Sequence, residues 1–230
     1  MRHALITGAS RGIGEAIASA LAADEWALTL TGRTAPTALA DELGALAVAM
    51  DQTDPASIQT AFDQARARFG PLTALINNAG AVETAPFTRT SPELWQRMLA
   101  VNLTGTFLCS RAALPGMLLS GWGRVINIAS TAGQRGYAYV AAYSAAKHGV
   151  LGLTRSMALE VAKKGITVNA VCPGYTETDI LAESIANVMA KTGRSEAEAR
   201  AEFAASNPQG RIVQPQQAAD AVAWLCADAA

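Results

Sequence analysis

The chain has 230 residues, half of them hydrophobic, with a formal net charge of −1 and an isoelectric point near 6.1. That length and apolar content suit one α/β domain with a sizeable core. The near-neutral balance, with no basic run or stripe, argues against a nucleic-acid partner.

Strand-like and helical runs alternate along the chain. ALIT (4–7) leads to a helical stretch from Ile13 to Ala23, and WALTLT (26–31) to a short helix near Ala38 to Leu43. ALAVAM (45–50) precedes a helix from about Pro55 to Phe69, and ALIN (74–77) a long helix from Pro92 to Leu119. RVINIA (124–129) precedes a helix carrying Tyr143, and TVNAV (167–171) precedes Pro173. Such alternation predicts a Rossmann-type, doubly wound parallel sheet with helices on both faces, a three-layer α/β/α domain over residues 1–230. The segment 179–207, helical and rich in Glu and Ala, interrupts the alternation and is expected to form a lid over a substrate site.

Cys109, Cys172 and Cys226 are odd in number and far apart, which makes neither a metal pattern nor a disulfide framework and fits a reducing compartment. MRHALITGAS enters a strand-like run directly, without a leader, and no apolar run reaches membrane-spanning length. A cytoplasmic protein with no membrane partner and no metal is the expectation.

The first strand ends in TGASRGIG, with Gly8, Gly12 and Gly14 leading straight into a helix. Glycines let the backbone approach a ligand, and a helix N-terminus favours negative charge, so strand, turn and helix together suit a pyrophosphate. The second strand ends in Gly32 and Arg33, where a carboxylate for a ribose 2′-hydroxyl would stand in an NAD site. Arg33, with Arg11 from the glycine loop, suits a 2′-phosphate, so NADP(H) is expected over NAD(H). The alternative is that both arginines are solvated loop residues.

In YSAAKHG, Tyr143 and Lys147 lie four apart and share a helix face. A fixed positive charge beside a phenol favours phenolate, whereas a plain structural reading packs the ring and lets the lysine reach water.

Together these stretches resemble the classical short-chain dehydrogenase/reductase family. The resemblance runs through TGASRGIG (7–14), Asp51, NNAG (77–80), Asn102 in VNLTG, Ser130 in NIAS, Tyr143 and Lys147, and PGYTET (173–178), in family order, with thirteen positions from Ser130 to Tyr143. It implies that Tyr143 is the general acid in reduction and the general base in oxidation. Lys147 then lowers the Tyr143 pKa and holds the nicotinamide ribose, Ser130 bonds the substrate oxygen, and Asn102 holds a water on the proton path. It implies a cofactor cleft lined by Gly8, Ser10, Arg11, Gly12, Ile13, Gly14, Arg33, Asp51, Gln52, Asn78, Ala79, Gly80, Pro173, Gly174, Thr176 and Thr178, besides Tyr143 and Lys147. Asp51 is expected to meet the adenine and Thr178 the nicotinamide carboxamide.

Within the family, GITVNAVCPGYTETDI (165–180) and NPQGRIVQPQQAADAVAWL (207–225) look like the 3-oxoacyl-thioester reductases. The resemblance therefore implies an NADP(H)-linked reductase of a 3-oxoacyl thioester, with a small free ketone, sugar or steroid alcohol as the alternative. Gly121 stands where a basic carrier-docking residue is expected and Lys164 keeps another, a half-match that leans toward an acyl-CoA or a free ketone. A non-catalytic NADP-binding regulator is the reading from another class, and retention of both Tyr143 and Lys147 disfavours it. Family members usually add a final strand after the point where DAA (228–230) stands, bordering the pocket and a subunit contact. The helices around 92–119 and 143–162 are apolar on more than one face, and in relatives they form a four-helix contact, so a homotetramer or homodimer is expected.

Overall fold

The computed structural model describes residues 2–230. The strands are β1 (His3–Thr7), β2 (Ala27–Gly32), β3 (Leu46–Ala49), β4 (Ala74–Asn77), β5 (Gly123–Ile128) and β6 (Ile166–Val171). The helices are α1 (Gly12–Ala23), α2 (Thr37–Leu43), α3 (Pro55–Phe69), α4 (Pro92–Leu99), α5 (Gly105–Ser120), α6 (Ala141–Val161), α7 (Asp179–Thr192), α8 (Glu196–Ser206) and α9 (Pro215–Cys226). All strands run parallel in the order β3-β2-β1-β4-β5-β6.

Successive side chains of a strand point to opposite faces, so each strand feeds two cores. Ala4, Ile6, Leu28, Leu30, Ile126 and Ile128 pack with Ile17 and Leu21 of α1 and Ala219 and Val222 of α9. Leu5, Leu75, Val125 and Val168 pack on the other face with Phe62 of α3, Met117 of α5 and Met157 of α6. The strand order reverses between β1 and β4, and a crevice opens there at the carboxyl ends of the strands, the usual ligand site of such sheets.

The long helix expected from Pro92 to Leu119 is two helices joined by a π turn over Ala100–Thr104. A π turn withdraws a carbonyl from the regular i→i−4 ladder. The side chain of Asn102 compensates by donating Nδ2 to Met98 O at 3.0 Å. Apolar periodicity continues across the turn, which is why the sequence reads as one helix.

The 179–207 segment is a helical hairpin. Gly193, at φ +71°, ends α7, and a capping box between Ser195 and Glu198 starts α8. The hairpin buries Leu181, Ile185 and Ala199 against Tyr175 and Phe203. Among the described residues, no helix is long and apolar enough to cross a membrane.

Candidate active site

The glycine loop is shaped by the strand beside it. Gly8 has φ +63°, and a Cβ there would stand 2.7 Å from Ala79 Cα. A Cβ at Gly14 would collide with Gly8 O and stand 2.5 Å from Asn78 Nδ2. Thr7 Oγ1 accepts the N–H groups of Asn78 (3.0 Å) and Ala79 (2.9 Å), while Asn78 Nδ2 donates to Gly8 O at 2.8 Å. The ends of β1 and β4 are thereby stitched together. No side chain caps the first turn of α1, whose amides face the crevice with their partial positive charge. A backbone cradle of this kind, too tight for side chains and uncapped at its helix, fits a dinucleotide pyrophosphate.

The structure sorts the expected cofactor residues by what their side chains already hold. Ser10 and Arg33 are exposed, and Ser10 Oγ faces Gly32, where a Cβ would lie 3.9 Å away. Asp51 accepts the N–H and hydroxyl of Thr53 at 2.8 and 2.7 Å, which holds its carboxyl below the usual range, with help from the Arg33 charge. Arg11 is engaged elsewhere: Nη1 donates to Asp179 Oδ2 of α7 at 2.8 Å. Gln52 is buried and braces the protein, donating to Ala79 O and Val101 O at 3.1 and 2.7 Å. Ile13 packs against the core of its sheet face. Thr178 Cγ2 lies 3.0 Å from where a Cβ of Gly12 would be, so the 173–178 loop touches the glycine loop. Pro173 O accepts Thr131 N–H at 3.0 Å, and Thr176 Oγ1 donates to Gly174 O, also at 3.0 Å.

Ser130, Tyr143 and Lys147 gather at the carboxyl end of β5. Ser130 follows the strand, and its Oγ accepts Ala132 N–H at 3.0 Å, leaving the hydroxyl hydrogen available. Lys147 is 5% exposed, and its Nζ donates to Ile128 O at 2.8 Å and lies 5.7 Å from the centre of the Tyr143 ring. Burial pulls its pKa down to about 8. The Tyr143 phenol is raised above its ordinary value, first by burial; Ser130 opposes the shift and Tyr175 adds to it. The sequence leads one to expect the opposite direction from the lysine charge, but the ammonium is bonded to a carbonyl and desolvation outweighs it. Asn102 is fully buried in the π turn. Its Oδ1 accepts Ala81 N–H at 3.2 Å and its Nδ2 donates to Ala81 O at 2.9 Å. Its side chain therefore braces the 80–81 backbone. A Cβ at Gly80 would come 2.9 Å from Asn102 Oδ1 and 3.7 Å from Lys147 Nζ.

Several residues escape sequence reasoning because nothing local marks them. Asn207 is buried and ties three backbone groups: Oδ1 accepts Tyr175 N–H, and Nδ2 donates to Tyr175 O and Arg211 O. Tyr137, Tyr175 and Phe203 form an aromatic wall, with ring centres 6.1 and 4.8 Å apart. Among the described residues no group of three His, Cys, Asp and Glu side chains is placed to hold a metal. Two open hollows, one at Trp26 and Phe69 and the other at Trp122 and Asp228, lie by the amino ends of the strands, away from this site.

Comparison with known proteins agrees with the geometry. The short chain dehydrogenase family model matches residues 2–189. The 3-oxoacyl-[acyl-carrier-protein] reductase FabG of Escherichia coli is 40% identical over 99% of this chain and 90% of its own length. The cis-4-hydroxycyclohexanecarboxylate dehydrogenase of Sinomonas cyclohexanicum is also 40% identical, over 100% of this chain and 90% of its own. A crystal structure of a single-substitution variant of actinorhodin polyketide ketoreductase with NADPH superposes with a TM-score of 0.95 at 36% identity, covering 100% of this chain and 92% of that one. The chain belongs to the short-chain dehydrogenase family, as an oxidoreductase acting between a keto group and an alcohol.

Asn207 yields a test of how the site is held. Asn207→Ala leaves part-buried backbone groups of Tyr175 and Arg211 without their partner, and is expected to cost about 1 kcal/mol or more in urea unfolding. A change below about 0.5 kcal/mol, the ordinary scatter of surface substitutions, would show that solvent replaces those bonds.

Proposed function

We propose that the chain is an NADP(H)-dependent ketoreductase that also runs as an alcohol dehydrogenase, with a 3-oxoacyl thioester as its leading substrate class. The observation that carries this reading is the buried Lys147 behind Tyr143, with the Ser130 hydroxyl on the same side. When bound, the nicotinamide supplies the hydride. Ser130 donates a hydrogen bond to the substrate oxygen as charge develops there, and Tyr143 delivers the proton. Lys147 keeps an ammonium below about pH 8 and stabilises the phenolate that remains. The 3-oxoacyl reading is supported by the FabG likeness. A free oxo or hydroxy acid is the second reading, favoured by a positioned arginine, Arg135, and by the dehydrogenase relative whose name carries a carboxylate.

Tyr143→Phe is expected to leave NADPH binding nearly intact and to lower turnover of a ketone panel roughly 10²–10⁴-fold, the worth of acid–base help. Retention of more than half the wild-type rate overturns the assignment. A protein that binds NADPH and turns over no ketone would be the regulator instead.

The NADP(H) preference is supported by Arg33, exposed beside Gly32 with no acid at the end of β2, and by the NADPH that accompanies the polyketide ketoreductase in its crystal structure. Arg33→Ala is expected to weaken NADPH roughly tenfold and leave NADH unchanged, on the scale of one charged hydrogen bond. The alanine variant is cleaner than an acid at Gly32, because a Cβ there would lie 2.9 Å from Thr34 O. Equal affinities for both cofactors in the unmodified protein would mean that Arg33 is a solvated loop residue.

A homotetramer or homodimer is supported by apolar side chains left in water on two helices. Phe107 and Leu118 of α5 are 43% and 45% exposed, and Leu159 of α6 is 84% exposed. Light scattering at micromolar concentration is expected to give a multiple of 23.8 kDa, and a monomer mass refutes the assembly.

A further inference from the structure

Arg135 stands exposed in the loop after Ser130 and is oriented by two hydrogen bonds. Its Nε donates to Tyr137 Oη at 2.9 Å and its Nη2 to Ser206 O at 2.9 Å. The guanidinium lies over the Tyr137 ring, 4.8 Å from its centre, and Tyr137 Oη is in turn 2.9 Å from Thr131 Oγ1. A guanidinium has five N–H donors, so these bonds leave three unused. Arg11, Arg97, Arg194 and Arg200 each pair with a carboxylate, whereas no acid of the described residues lies within ion-pair distance of Arg135. Its charge is therefore oriented and uncompensated.

Its surroundings connect it to the reacting end of the cleft. The Tyr137 ring meets Tyr175 edge-on, and Tyr175 packs against Phe203 of α8. Tyr175 feels the Arg135 charge, which works against the effect of burial on its phenol, and Tyr175 in turn raises Tyr143. Tyr137 and Tyr175 thus link the cation to Tyr143, and Tyr137 is bonded to Thr131, the residue after Ser130. That arrangement matches a molecule with a carbonyl, a short apolar part and an anionic end. A planar guanidinium suits a carboxylate best.

We propose that Arg135 is a specificity residue that binds the carboxylate of a short oxo acid or hydroxy acid while its oxo or hydroxyl group lies at Ser130 and Tyr143. This rests on the ketoreductase reading and, of its two substrate classes, takes the second, the free acid, over the thioester. A thioester would present a neutral group to Arg135 and carry its charges farther out on the carrier.

The test measures NADPH oxidation with 3-oxobutanoate, its ethyl ester and its CoA thioester, for wild type, Arg135→Gln and Arg135→Lys. Acid and ester share the reacting carbonyl and differ in the charge, and their kcat/KM ratio within one variant is independent of how much of that variant is folded. The expected result is that wild type prefers the acid, that Arg135→Gln lowers the acid-to-ester ratio roughly tenfold through KM, and that Arg135→Lys keeps part of it. An unchanged ratio in Arg135→Gln overturns the proposal and leaves the arginine a tie between its loop and Ser206. Wild-type preference for the ester or the thioester overturns it too, with the ketoreductase reading intact. Failure of wild type to reduce any ketone, at a rate no higher than Tyr143→Phe, defeats the ketoreductase reading itself and this inference with it.

Discussion

A buried ammonium sets the geometry of the site. Lys147 has almost no contact with water and makes one hydrogen bond, to the last carbonyl of β5. Taking an ammonium out of water costs several kcal/mol, and the fall of its pKa to about 8 is the visible sign of that cost. The arrangement holds because the surrounding backbone comes close. A Cβ at Gly133 would lie 2.7 Å from Lys147 O, so glycine there lets α6 settle against the turn that follows Ser130. Once Nζ is fixed on Ile128 O, Tyr143, one helical turn earlier, is fixed relative to Ser130, two residues further along the chain from Ile128.

A polar seam below the site makes that position rigid. Asn77 Nδ2 donates to Ser110 Oγ of α5 and to Asn127 Oδ1 of β5, and Asn127 Nδ2 donates to Thr154 Oγ1 of α6. All four side chains are buried. Two strands, β4 and β5, and two helices of one face, α5 and α6, are thus connected by directional bonds inside an otherwise apolar core. Such a network defines one register, since a shifted helix would strand buried amides at about 1–3 kcal/mol each.

The helical hairpin is held to the rest of the domain by contacts of unequal strength. Arg11 meets Asp179 at its start, but both side chains are more than half exposed, and pairs of that kind are worth about 0–1 kcal/mol. At its end, the buried Asn207 and the packing of Tyr175 on Phe203 hold the hairpin to the 173–178 loop. The weak contact lies beside the glycine loop and the strong one beside the aromatic cluster of Tyr137, Tyr175 and Phe203.

The sheet and its order of elements were legible in the sequence because parallel strands buried on both faces read as unbroken apolar runs, as in ALIT and ALIN. The glycine spacing in TGASRGIG and the Tyr143–Lys147 interval were legible because each is local: a turn of one strand and a turn of one helix fix them. The π turn at Asn102 was not, since apolar periodicity runs through it unbroken and only the bond from Asn102 to Met98 O marks it. Nor were the partners of Arg11, Gln52 and Asn207, which lie 168, 27 or 49, and 32 or 4 positions away in the chain. Residue order alone establishes which groups of this protein could do chemistry. Folding selects which of those groups remain available, because a side chain bonded to a distant backbone has given its donors and acceptors to the fold.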